Sequence, residues 1–362
     1  MDKEQNLLMI KELSDAAGPS GFEDGAVAVI RRYGEGLGVW REDAMRNLRV
    51  QRAGPGGGTG GGKPVLMLDA HSDELGFMVR AIRPNGTLDF IPLGSWVPAH
   101  VPAHKVRVRN TLGEWLPGIV ATKPPHLSSD TERRAAPELS GMVIDLGASS
   151  DREIRRDYHI GVAAPVVPGS AFEYLAERDI MMGKALDDRL GCAALLVTLR
   201  ELAGEDLGVD ITGAFSAQEE MGLRGAAVTA LETRPDIAIC FEGCPADDTL
   251  VEPYAVQTAL RKGPMLRHID LRMITNPRFQ RFALDLAAAQ GIPVQEAVRT
   301  GGGTNAGAIH LAAKAVPVIV IGAPVRYIHT HYGIASYGDF EGTVKLACGV
   351  IRSLNRGVIA GF

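Results

Sequence analysis

Cysteine is scarce in this chain and aromatic residues are few. Four cysteines occur in 362 residues, Cys192, Cys240, Cys244 and Cys348, at irregular spacing. That argues against a disulfide framework and fits a reducing cytosol. Cys240 and Cys244 have loose metal-ligand spacing, but no second cysteine pair accompanies them, so they are expected as buried small hydrophobes. Aromatic residues make up 6% and do not interleave with basic ones, which argues against a single-strand stacking platform. A formal net charge of -5 gives no footprint for nucleic acid. No apolar run reaches membrane-spanning length. The start, Met1-Asp2-Lys3-Glu4-Gln5, lacks the regions of a signal peptide. The expectation is a cytoplasmic protein without nucleic-acid or membrane partners.

What is present is ordinary globular material, 46% hydrophobic and 22% charged, long enough for a large domain and a smaller one. Leu7, Leu8, Ile10 and Leu13 mark a first helix that stops at Gly18-Pro19-Ser20-Gly21. Ser20 and Glu23 have capping-box spacing for a second helix over 24–33. The glycine run 54–62 lacks a following Gly-Lys-Ser/Thr, so it reads as a loop, not a phosphate cradle. From Gly76 to about Glu177 the apolar runs are short and broken by Pro, Gly and Asn, as in a small all-β barrel or sandwich. From Met181 onward long helices and apolar strands return. The expected fold is an α/β/α sandwich with a mixed, mostly parallel sheet over 1–75 and 177–362. A barrel-like all-β domain over 76–176 interrupts it.

The most informative stretch is Ser216 to Gly222. Two adjacent carboxylates, Glu219 and Glu220, directly follow the apolar run Ile211 to Phe215. Three other apolar strands finish the same way. Val65 to Leu68 leads into Asp69, His71, Asp73 and Glu74; Ile237 to Phe241 ends at Glu242; Val316 to Ile321 leads toward His329. In open α/β sheets, ligands bind beyond the carboxyl ends of the strands. A fifth candidate, Asp187, precedes a long apolar helix over 190–202. Each has a bland alternative, since an aspartate there is usually a cap and a lone histidine usually a structural residue. Taken together, mixed histidine and carboxylate donors suit zinc, cobalt or manganese better than calcium. Five candidates exceed one tetrahedral site, which suggests two metals sharing a carboxylate.

Six segments then carry a family resemblance. They are Gly18 to Glu23, His71 to Gly76, Lys123 to His126, Gly183 to Arg189, Gln218 to Gly222 and Arg326 to Thr330. In this order, over nearly the whole chain, they resemble the co-catalytic metallo-aminopeptidases of peptidase clan MH, the glutamyl and tetrahedral (TET) aminopeptidases. The resemblance implies two divalent ions per subunit. His71 and Glu242 would hold one, Glu220 and His329 the other, and Asp187 would bridge them through a residue followed by a cis peptide. Glu219 would be the general base, and Asp73 would orient His71. The implied activity is removal of N-terminal residues from short peptides, in a homo-oligomer that is often a tetrahedral dodecamer. The β domain would make subunit contacts and shape the entrance.

The chain departs from the family pattern at three places. Glu242 stands where many relatives have Asp. Asn305 stands where Asp is common, which would remove a negative charge near the substrate region. Thr330-His331-Tyr332-Gly333 replaces a more usual Ser-Pro-x-Glu and sets His331 beside the preferred ligand His329. His100, His104, His159, His268 and His310 are expected to be structural or exposed, and Arg261 to Arg267 a solvated basic turn. Two other functions fit the same residues. One is an amidohydrolase or deacylase acting on a non-peptide amide. The other is a glycosidase, which would leave His71 and His329 idle.

Overall fold

The computed structural model describes residues 2–54, 62–131 and 135–362. Most of the glycine run expected as a loop, residues 55–61, lies outside the described residues. An 11-stranded mixed sheet is built around four parallel strands. These are β3 (Val65–His71), β12 (Asp210–Ser216), β13 (Ile237–Pro245) and β16 (Val318–Arg326), in the order β12-β3-β13-β16. Antiparallel strands extend both sides. β1 (Gly38–Glu42) and β2 (Leu48–Arg52) lie beyond β12. β17 (Gly333–Ser336), β11 (Ile180–Gly183) and β10 (Glu173–Leu175) lie beyond β16. The pair β14 (Met265–Ile269) and β15 (Gln295–Val298) joins β16 off this path.

Side-chain alternation explains the layers. Leu66 and Leu68 of β3, Ile237, Ile239 and Phe241 of β13, and Ile319 and Ile321 of β16 enter one core. Helices Lys3–Asp15, Leu186–Glu201 and Tyr337–Ser353 supply residues to that core. Met67, Ala238, Cys240, Val318 and Val320 face the other way, into a core with Ala226, Ala230 and Ile309 of the helices on that side. A strand with apolar residues on both faces must be covered on both faces, hence the α/β/α sandwich. All four cysteines are buried and free. Cys240 packs in the second core and Cys244 against Met265 and Ala297, as small hydrophobes do.

Between β3 and β10 the chain closes a barrel. Its strands are β4 (Gly76–Ile82), β5 (Leu88–Leu93), β6 (Lys105–Arg109), β7 (Trp115–Ala121), β8 (Val143–Asp145) and β9 (Pro165–Pro168), in the order β4-β5-β8-β7-β6-β9. Phe77, Val79, Phe90, Val108, Ile144 and Val166 fill it. Phe77 stacks on Trp96 at 4.6 Å, and the Trp96 indole donates to the Gly76 carbonyl at 2.9 Å. β10 follows the barrel and pairs within the main sheet, so residues 173–175 belong to the sandwich. Among the described residues, no helix is long and apolar enough to cross a membrane.

Candidate metal centre

The parallel registers set the strand ends side by side. Ser216 pairs with His71 and Cys240 with Asp69, so β12 and β3 finish side by side while β13 runs on past them to Pro245. Around these strand ends the backbone turns sharply. Ala185, Gln218, Leu223, Tyr327 and His329 all take the left-handed conformation, with φ of 53, 55, 59, 60 and 60°. Non-glycine residues rarely do so, and such positions cluster at functional sites. The turn after β12 carries Glu219 and Glu220, and the turn after β16 carries His329. Asp187 enters from the start of helix Leu186–Glu201, and the Asp187–Asp188 peptide is cis.

Asp187 sits at the middle of the cluster. Its Oδ1 lies 3.1 Å from His71 Nε2, and its Oδ2 lies 3.5 Å from His329 Nε2. Glu242 Oε1 is 3.9 Å from His71 Nε2, and Glu220 Oε2 is 3.8 Å from His329 Nε2. One group of possible ligands is therefore His71, Asp187 and Glu242, and a second is Asp187, Glu220 and His329, each with donor atoms within 4.8 Å of one another. Glu219 falls in a third group with His71 and Glu220. Both histidines use Nδ1 elsewhere. That of His71 faces Asp73, 3.2 Å from its carbonyl and 3.3 Å from its Oδ1, while that of His329 donates to the Ser95 carbonyl at 3.0 Å. Fixing Nδ1–H in this way leaves the Nε2 lone pair for a cation. The donor set fits two divalent ions sharing one carboxylate.

Charge is crowded here. Burial pushes Glu219 and Glu242 well above the usual carboxylate range, with the neighbouring carboxylates adding to it. Burial likewise raises Glu220, to about 7. Burial opposes ionisation of Asp187 too, but its bonds to His329 and His71 win and hold it low. For His329 burial favours the neutral ring, yet Asp187 and Glu220 outweigh it and raise the group from 6.5 to about 9. A histidine raised on folding contributes stability that is complete below about pH 6.5 and lost as pH rises through about 9. Glu220, raised from 4.5 to about 7, acts in the same direction at lower pH. The metal-free protein is therefore expected to lose thermal stability between pH 6 and pH 9. Divalent metal, taking the place of those protons, removes the loss. Thermal melts of chelator-treated protein check this, and a melting point that rises with pH contradicts it.

Around the donors lies a buried polar layer. Asp73, held low by His71 and Ser20 against the effect of its burial, accepts from the amides of Glu219 and Glu220 at 2.9 and 3.2 Å. Asp188 Oδ2 accepts the His71 amide at 3.2 Å. The Glu74 carboxylate takes Lys184 Nζ at 2.6 Å on both oxygens, with the two side chains 1% and 0% exposed. Removing Lys184 leaves the buried Glu74 charge with the more distant Arg189 guanidinium, at 3.7 Å, as its only cation among the described residues. Lys184→Met is thus expected to cost about 3–5 kcal/mol in denaturant unfolding.

Several sequence expectations change in this setting. Ser20 and Glu23 form no capping box: Glu23 is the N-cap of helix Asp24–Tyr33 without a side-chain cap, and Ser20 Oγ donates to Asp73 Oδ2 at 2.6 Å. Asn305 does not face the substrate region. It is buried and donates to Asp69 Oδ2 at 2.7 Å, behind the end of β3. His331 points away from the donors and stacks on His104 at 4.3 Å, beside Trp96. Arg267 is not solvated but buried, bonded to Asp270 at 3.0 Å. Ser95 and Gly94, on the barrel side, had no local signal. A Cβ at Gly94 would come within 2.1 Å of Leu75 and 3.2 Å of Glu220 Oε2, and its φ is +87°.

The cluster opens into a cleft of about 550 Å³ lined by Glu219, Glu242, Ser95 and the Gly301–Gly303 segment. Arg267, Arg272 and Arg299 form its basic wall. Arg267 is paired with Asp270, and Arg299 with Asp247 at 2.7 Å. Arg272 has no ion pair among the described residues. Its stem lies against Gly303 and Gly307, where an added Cβ would come within 2.5 Å of it.

A sequence model described as M42 glutamyl aminopeptidase matches residues 57–346. The chain is 31% identical over 353 residues to a glutamyl aminopeptidase of Lactococcus lactis, covering 97% of each. It resembles the crystal structure of a TET aminopeptidase from a marine-sediment Thaumarchaeota archaeon, with 34% identity, a TM-score of 0.94 and 99% of both chains covered. It also resembles the TET1 peptidase of Pyrococcus horikoshii, described as assembling into a tetrahedron or a large octahedral shell. There the identity is 27% and the TM-score 0.85, over 96% of this chain and 100% of that one.

Proposed function

The chain belongs to the M42 glutamyl aminopeptidase family and is a peptide hydrolase, and from that premise we propose that it is a two-metal aminopeptidase with Glu219 as its general base. The observation that carries this reading is Asp187, set between His71 and His329 at 3.1 and 3.5 Å. His71, Asp187 and Glu242 would hold one ion, and Asp187, Glu220 and His329 the other, with zinc or cobalt favoured and manganese allowed. Bound there, divalent ions would supply an acidified water and a polarised scissile carbonyl.

The chain's own residues do the rest. Glu219 shares a group with His71 and Glu220, near enough to take a proton from a water between the donors. Burial raises its carboxyl in the metal-free protein; divalent ions bound beside it would lower it again, leaving a carboxylate that takes the proton and later returns it to the leaving amine. A free α-amine would sit near a metal and the acidic groups of the cluster, which favours removal of N-terminal residues over cleavage of N-blocked peptides. Asp73 holds the glutamate turn and the His71 ring together. The relatives' assemblies, a dodecamer in one TET1 structure and a tetrahedron or octahedral shell in another, support a homo-oligomer, and a tetrahedral dodecamer acting on short peptides is the proposed form.

Arg272 extends the reading to the substrate side chain. Arg272, which lines the same cleft as Glu219 and Glu242 and has no ion pair among the described residues, favours an acidic N-terminal residue. Arg272→Ala is expected to lower kcat/KM on glutamyl p-nitroanilide by about 10–100-fold, the worth of one charge-assisted contact, and on leucyl p-nitroanilide by less than about threefold. A panel of aminoacyl p-nitroanilides and N-acyl amino acids tests activity and preference together. Cleavage of the N-acyl compounds alone would favour the deacylase alternative.

A further inference from the structure

Beyond the end of β12 the chain loses its strand neighbours, and four consecutive amides turn to side chains. Ala217 N–H donates to Asn47 Oδ1 at 2.8 Å and Gln218 N–H to Glu23 Oε1 at 3.2 Å. Glu219 and Glu220 N–H donate to the two oxygens of Asp73 at 2.9 and 3.2 Å. The acceptors come from three separate parts of the chain, and all three side chains are 0% exposed. Asn47 is oriented by Asp43, whose Oδ2 accepts its Nδ2–H at 2.7 Å. Glu23 Oε1 also accepts the Gly21 amide at 2.7 Å, while Oε2 has no partner among the described residues.

Gln218 stands at φ 55°, a conformation that needs outside support in a non-glycine residue. The next residue is Glu219. We propose that Glu23, with Asn47 beside it, is a positioning residue that locks the turn at Gln218 and thereby aims the Glu219 carboxylate at the donor cluster. The assignment rests on the reading of Glu219 as general base. Glu23 touches neither the donors nor the cleft and acts only through the Gln218 backbone. Burial and the Asp73 charge raise its carboxyl to about 7, so glutamine is a close mimic of its uncharged form.

The test compares wild type, Glu23→Ala, Glu23→Gln and Glu219→Gln in the zinc-loaded full-length protein. The readouts are kcat and KM on an aminoacyl p-nitroanilide, zinc content, and amide exchange over 217–220. Glu23→Ala is expected to lower kcat by about 10–100-fold through misplacement of the base, with KM within about threefold and zinc content unchanged. Exchange over 217–220 speeds up, and Glu23→Gln restores both rate and protection. An unchanged kcat in folded Glu23→Ala, or a loss that glutamine does not rescue, overturns the proposal. If the alanine variant does not fold, Glu23→Asp decides, because its shorter arm withdraws from Gln218: wild-type rate and protection overturn the idea. If Glu219→Gln is as active as wild type, the base assignment has failed instead. Amide exchange then still reports whether Glu23 holds the turn.

Discussion

Glu219→Gln is expected to lower kcat by about 10²–10⁴-fold, equivalent to about 3–5 kcal/mol of barrier, with KM and metal content retained. The substitution keeps the size of the side chain and removes only its capacity to take a proton. Metal retention separates two roles, because Glu219 also falls in a possible ligand group with His71 and Glu220. A ligand would give up metal on substitution, whereas a base would give up only turnover. Steady-state kinetics with metal analysis on the same sample decide between them. Normal kcat in a fully loaded variant would remove Glu219 from the chemistry.

Asp187→Ala should have the second large effect, for a different reason. Asp187 is common to two of the three donor groups, the one with His71 and Glu242 and the one with Glu220 and His329, and is the only residue that approaches both histidines among the described ion pairs. Its loss is expected to reduce metal content below one ion per chain and kcat/KM by at least about 10³-fold, since both electrostatic contributions are lost together. Glu242→Ala touches one group only, and should lose one ion while keeping the other. Equal losses in the two variants would contradict a bridging role. The removal also takes from the two histidines their main anionic partner, so the variant should show a smaller alkaline loss of stability than the metal-free parent, with the part due to the burial of Glu220 remaining.

Much of the scaffold was legible because burial on two faces leaves a local trace. The runs ending near Leu68, Phe215, Phe241 and Ile321 are apolar at both parities, as central parallel strands must be, and each leads to a polar residue at its carboxyl end. The donor cluster brings together His71, Asp187, Glu219, Glu220, Glu242 and His329, residues scattered along the sequence but converging at strand and helix ends. The remainder depended on contacts that no local pattern encodes. Ser20 and Glu23 have the spacing of a capping box, yet Asp73 and the Gln218 amide claim their side chains. Nothing near Ser95 marks its carbonyl as the acceptor for His329, because that contact spans the barrel and the sheet. Asn305 lies behind β3, where Asp69, raised to about 6 by burial, takes its amide. The stem of Arg272 packs against Gly303 and Gly307, a contact between segments distant in sequence that no local pattern marks.

The most direct test is a metal titration of the stripped protein, following cleavage of glutamyl p-nitroanilide and bound metal together. Cleavage should be absent with chelator, return with zinc or cobalt, and level off at two ions per chain, while the N-acetylated substrate stays intact. Full activity in the presence of chelator, or saturation at a single ion, would contradict a dinuclear centre built on Asp187.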